Sequence, residues 1–79
     1  MAITTAQING AITDPANRAI LVAVNATTAT AIDIGAAPVS LALKTQLLDL
    51  LNSASTRQNI NAAAIDLPCK AVLLAAAGV

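Results

Sequence analysis

A chain of 79 residues with four basic and four acidic groups, no histidine and no aromatic side chain is the size of one small domain. Charge stands at 10% of residues, against roughly 25% in an average protein. The cations Arg18, Lys44, Arg57 and Lys70 are dispersed, which excludes the clustered basic face that a phosphate backbone requires. The single cysteine, Cys69, excludes an internal disulfide, and one thiol with Asp14, Asp33, Asp49 and Asp66 makes no metal cage.

The first predicted element is a short helix. Thr4 and Gln7 have the spacing of a capping box, and Ile3 and Ile8 that of a hydrophobic staple. Ile8, Ala11 and Ile12 continue at helical spacing, Gly10 weakens the helix by about 1 kcal/mol relative to alanine, and Asp14-Pro15 ends it. Next comes "RAILVAV", residues 18–24, rich in β-branched side chains and apolar all round a helical wheel. It reads as a buried strand. "NATT", residues 25–28, serves as a turn, and "TAIDI", residues 30–34, alternates as a second strand with Thr30, Ile32 and Ile34 on one face. The rival reading takes Asp14-Pro15 as an N-cap and first-turn pair that starts a helix at Pro15 and makes the protein all-α.

"GAAP", residues 35–38, is a loop, and a helix from about Val39 to Leu51 follows, begun by Pro38 or Ser40. Leu41, Leu43, Leu47, Leu48, Leu50 and Leu51 cover half its wheel, while Thr45, Gln46, Asp49 and Asn52 gather on the other half. Lys44 lies inside the apolar arc, as a snorkelling side chain or as a charge paired across a subunit contact. Ser55 and Gln58 repeat the capping box, Ile60, Ala63, Ala64 and Leu67 repeat the stripe, and Asp66-Leu67-Pro68 repeats the stop. The C-terminal run from Lys70 suits helix by its Leu and Ala and strand by its kinship with "RAILVAV".

Two stretches, 3–24 and 54–76, thus follow one plan. Offset by 52 residues, Ile8–Val24 and Ile60–Ala76 agree at seven of seventeen positions, which is either an internal repeat or two helices using the same start and stop chemistry. The fold expected from these elements is α+β: one domain over 1–79, about three short helices and a small β-sheet or hairpin. The alternative is an all-α helical bundle, with residues 15–27 and 68–77 undecided between strand and helix.

Chemistry is sparse. Without His, Glu or Tyr there is no obvious general base. Cys69 reads as a buried inert thiol, and Asp14 and Asp66 as cap or turn residues. Three glycines form no phosphate loop, and Asn25-Ala26-Thr27 is a glycosylation pattern met by chance. The expectation is a protein that is not an enzyme and binds no cofactor, metal or nucleic acid. No run of eighteen apolar residues offers a membrane span. The opening "MAITTAQ" has no basic region followed by an apolar core, so it is no secretory signal, and cytoplasmic or in-particle location is expected.

What remains is association. Counting glycine, 48 of 79 residues are apolar, too many for so small a sphere to hide. The expected role is a self-associating structural subunit, with Leu41, Leu43, Lys44, Leu47, Leu48 and Leu51 as the interaction face. The short, aromatic-free, Ala/Thr/Ile-rich chain opening "MAITTAQ" resembles small virion proteins of tailed bacteriophages, of the decoration or cement type. That resemblance implies a virion location, many copies per particle and clamping of neighbouring capsid subunits; it carries no site residues. The competing role is an adaptor that binds one protein partner through the leucine helix 39–51.

Overall fold

The computed structural model of the chain describes residues 3–79; Met1 and Ala2, the first two letters of the opening "MAITTAQ", lie outside it. Six helices follow one another: α1 (Thr5–Ala11), α2 (Pro15–Asn25), α3 (Ala31–Ala36), α4 (Leu41–Leu51), α5 (Arg57–Ala62) and α6 (Leu67–Ala77). No strand occurs among the described residues, so the α+β expectation is overturned and the all-α alternative fits.

The correction has a local cause at each misread segment. "RAILVAV" lies inside α2, because Asp14 caps that helix and Pro15 occupies its first turn. The Asp14 carboxylate accepts from the backbone N–H groups of Ala16 and Asn17 at 2.9 and 3.2 Å, and proline's missing N–H costs nothing at the first turn. "TAIDI" is the start of α3, where Thr30 and Asp33 close a capping box: Asp33 N–H donates to Thr30 Oγ1 at 3.2 Å and Thr30 N–H to Asp33 Oδ2 at 2.9 Å. "NATT" is the end of α2 and its exit, not a hairpin turn. Asp66 likewise starts α6, accepting from Cys69 N–H at 3.2 Å, where a stop was expected. The capping box expected at Ser55 and Gln58 does not form: Thr56, one residue on, caps α5 and accepts from Asn59 N–H at 3.0 Å, with no bond returned by the Asn59 side chain. The box at Thr4 and Gln7 forms as expected.

The six helices are three copies of one unit. The short helices begin at 5, 31 and 57 and the long ones at 15, 41 and 67, a spacing of 26 residues throughout. At that spacing Thr4, Thr30 and Thr56 are the caps of the short helices, and Asp14, Ser40 and Asp66 those of the long ones. Ile8, Ile34 and Ile60, each four residues past its threonine, are all 0% exposed. Leu21, Leu47 and Leu73 are buried in the same way from the long helices. The offset of 52 residues seen in the sequence is two of these steps.

A fifth shared position is a cation one turn into each long helix. The Arg18 guanidinium donates from Nε and Nη2 to the carbonyl oxygen of Ile12 at 2.9 and 2.7 Å. Lys44 Nζ donates to Gly35 O at 2.9 Å and Lys70 Nζ to Asn61 O at 2.8 Å. Each cation therefore reaches back to a carbonyl at the end of the preceding short helix, where the helix dipole is negative. The unit is a hairpin tied at its bend.

The three hairpins close on one another. Each of α2, α4 and α6 touches the other two, and α1 packs on α6. Near their starts, Asn17 Nδ2 of α2 lies 3.9 Å from Cys69 Sγ of α6. Near their ends, Val24, Leu50 and Ala76, equivalent residues of the three units, line one depression. At their ends the three long helices therefore lie together, in a pseudo-threefold arrangement of the repeated units. The body measures 25 × 25 × 21 Å.

The units differ in how the long helix ends. Thr27 and Ser53 sit in the left-handed region at φ 59° and 57°, whereas in the third unit Gly78 takes that role at φ 73°. In all three an N–H bonds a carbonyl five residues back: Thr28 to Ala23, Ala54 to Asp49, Val79 to Leu74. A left-handed residue with a Cβ costs roughly 1–2 kcal/mol, part of which glycine returns through its greater freedom when unfolded. Thr27→Gly and Ser53→Gly should each raise stability by about 0.5–1 kcal/mol, with Thr27, the β-branched one, gaining more. Urea unfolding of the single variants checks this, and a loss at either site refutes it.

Candidate interaction surface

The eight charged side chains are nearly all engaged in holding the helices. Asp14, Asp33 and Asp66 cap helix starts, and Arg18, Lys44 and Lys70 tie the three hairpins. Only Arg57 and Asp49 stand outside this scheme, and both are common surface residues.

Cys69 offers no exposed nucleophile. It is 1% exposed, and burial, reinforced by the Asp66 carboxylate close by, pushes the thiol up from 9.0 to about 12. Because the folded value lies above the unfolded one, the fold favours the protonated thiol. Its contribution to stability is fully present below pH 9.0 and is lost as pH rises toward about 12. Cys69→Ala should flatten the alkaline limb of a stability–pH curve, and native Cys69 should react with a maleimide no faster than the chain unfolds. Rapid labelling of the folded protein refutes the assignment.

The residues expected to form the interaction face separate. Leu43 and Leu47 are in the core, at 2% and 0% exposure. Leu48 is half-buried against that core. Lys44 is held by its bond to Gly35. Only Leu41 and Leu51, at the two ends of α4, reach the surface. The leucine arc of α4 thus faces its own bundle.

The large apolar side chains that are exposed form a different set: Ile32, Leu41, Leu51, Leu67 and Val79. Ile32 was expected to share one face of a strand with Ile34, yet it is 82% exposed on α3 while Ile34 is 0% exposed. Leu41 and Leu67 are equivalent residues, the first of α4 and α6, at 79% and 77%. All five belong to the second and third units or the end of the third. At matching positions the first unit has Ala6 for Ile32, Pro15 for Leu41 and Leu67, Asn25 for Leu51, and Thr27 for Val79.

This is a control within one molecule. The same backbone positions serve the fold with alanine, proline, asparagine or threonine. An exposed leucine or isoleucine there is not required to make the helix or fill the core, and it costs solubility. The signal that would have found these residues is the 26-residue repeat. Aligning three units separates positions that repeat as buried from those that change.

Scans against known protein families, curated proteins and solved structures find no match to this chain. The surface is therefore read from its own geometry. No group of residues that could hold a metal ion occurs among the described residues, and no helix among them is long and apolar enough to cross a membrane.

At the ends of the long helices two shallow depressions adjoin, of about 340 and 240 Å³. They share Leu50, Ser53 and Ala76. Their origin is the unequal size of the residues that the three units bring together there: valine at 24, leucine at 50, alanine at 76. Asn25 Nδ2 closes one side by donating to Ile3 O at 2.7 Å. Ser55 Oγ is buried beside the larger depression without a hydrogen-bond partner.

Proposed function

We propose that this protein is a non-enzymatic structural subunit of a multi-copy assembly, in the manner of a phage capsid decoration or cement protein. The observation that carries the reading is the internal control: Ile32, Leu41 and Leu67 are exposed at positions where the first unit folds with Ala6 and Pro15. Six of the eight charges hold helix ends together. Recognition would then rest on shape and apolar contact, the terms that suit a fixed, repetitive interface. The virion setting is the specific form of the proposal and draws on the resemblance of the opening residues and composition. A location in the virion follows if that form is right, and a cytoplasmic one otherwise.

The adaptor role through residues 39–51 has less support, because Leu43 and Leu47 would have to leave the core to meet a partner. Sedimentation of the purified chain, and of the complexes it forms in its native lysate, tests the proposal. Large particles, or recovery with a particle at a fixed copy number well above one, are expected. A chain that remains single and uncomplexed, or that turns over a metabolite, refutes it.

A further inference from the structure

We propose that copies of this chain associate by exchanging the third unit, residues 55–79, with the segment 52–55 as the hinge. This mode of association rests on the multi-copy reading above and names its partner, a second copy.

The three units are separated by two joins, and each join holds a left-handed residue that carries a side chain: Thr27 at φ 59° and Ser53 at φ 57°. Gly78 makes the same bend without that cost. Strain at a bend between packed bodies favours any state in which the bend straightens. Exchange is such a state. The α6 helix of one copy packs on α1, α2 and α4 of the next, so the contacts it makes within one chain are all kept between two. The closed and exchanged states then differ only at the hinge and in the entropy of association.

The two joins are held differently. At the first, Thr27 N–H donates to Val24 O, the Thr28 and Ala29 N–H groups both donate to Ala23 O, and Thr28 Oγ1 donates there too at 3.2 Å. At the second, only Ser53 N–H to Leu50 O and Ala54 N–H to Asp49 O remain. Next to them Ser55 Oγ is buried without a partner, at the place where the other units pack Ile3 and Ala29. An unpaired buried hydroxyl is costly, and straightening residues 52–55 returns it to water. Strain, an unpaired group and the fewest bonds therefore meet at the second join, which makes the third unit the one exchanged.

Asn17 and Cys69 supply the test, because they meet from the first and third units, Asn17 Nδ2 3.9 Å from Cys69 Sγ. The Asn17→Cys chain is refolded from urea over a wide concentration range, oxidised, and separated by size into single 7.8 kDa chains and associated ones. On a non-reducing gel the 17–69 disulfide is expected within the chain in the first fraction and between chains in the second. Sedimentation velocity of two further variants, each with the native Asn17 and shown to be folded by far-UV circular dichroism, reads the hinge. Ser53→Gly is expected to lower the association constant roughly two- to fivefold for each hinge straightened. Thr27→Gly, whose join stays bent in both states, is expected to leave it unchanged. Should Asn17→Cys fail to fold or to close its disulfide, the two glycine variants decide. Associated chains with disulfides only within each chain, no effect of Ser53→Gly, or an equal effect of Thr27→Gly overturns the exchange, while the association itself keeps the multi-copy reading. A wild type that stays single at every concentration also overturns the exchange, and if it is recovered alone from its lysate the multi-copy reading falls with it.

Discussion

Truncating Leu21, Leu47 or Leu73 to alanine should remove a large part of the protein's stability, and should do so at each of the three sites. The three are equivalent residues at 2%, 0% and 0% exposure, one from each long helix. Removal of a buried leucine costs about 2–5 kcal/mol, the spread set by how well neighbours collapse into the space. A domain of this size has a total stability of roughly 4–12 kcal/mol. There is no aromatic residue to take up the slack, and no disulfide to limit the unfolded chain. The largest loss is expected at Leu47, which sits between the buried Leu43 and Gln46 and the half-buried Leu50 of its own helix. Urea titration followed by circular dichroism gives the three values. A cost below about 1 kcal/mol at any of them means that the pseudo-threefold core is not as described.

The opposite change is expected at Gln46. This residue is 7% exposed, and its Oε1 is buried without a hydrogen-bond partner. In the other units the position holds Ile20 and Val72, both buried. An unsatisfied buried polar atom costs about 1–3 kcal/mol. Gln46→Ile, of similar size and already accommodated at the equivalent place in α2, should therefore raise stability by about 1–3 kcal/mol. That would be a large gain for one substitution in a small domain, visible as a shift of the urea midpoint with an unchanged slope. A fall in stability would show that Oε1 has a partner in solution, and that the glutamine is part of the packing.

What the sequence disclosed depended on how local the governing physics is. Thr4 with Gln7 and the helix beginning at Ser40 were legible because caps act within four residues. The α2 segment was not, because it was taken from Arg18 to Val24 alone. Over the whole helix, Pro15–Asn25, the buried Ile20, Leu21 and Val24 share one face. Cut to seven residues, the run shows its valines and isoleucines and hides that stripe, so it imitates a strand. What decided the matter was Asp14-Pro15, a start signal that had also been read as a stop. The slip from Thr56 to Ser55 shows the same limit. Both hydroxyls precede an amide side chain by three residues, and only the phase of Ile60, four past its cap as Ile8 and Ile34 are, selects the threonine.

The surface was less legible than the fold. Six leucines on one helix gave no means of telling which meet their own bundle and which meet a partner. Leu43 and Leu47 turned inward and Leu41 and Leu51 outward because α4 touches α2, α3 and α6 at once. The strand reading placed Ile32 on the same face as Ile34, as alternation requires. On a helix the two point apart by most of a half-turn, and Ile34 alone is enclosed.

The pairwise contact among all three long helices has a consequence for how the molecule comes apart. In an open array of repeats the outermost one has a single neighbour and peels away first. Here every hairpin has two, so none is outermost. Melting should be all-or-none, and amide hydrogens at matching places in the three units should exchange with solvent at closely similar rates.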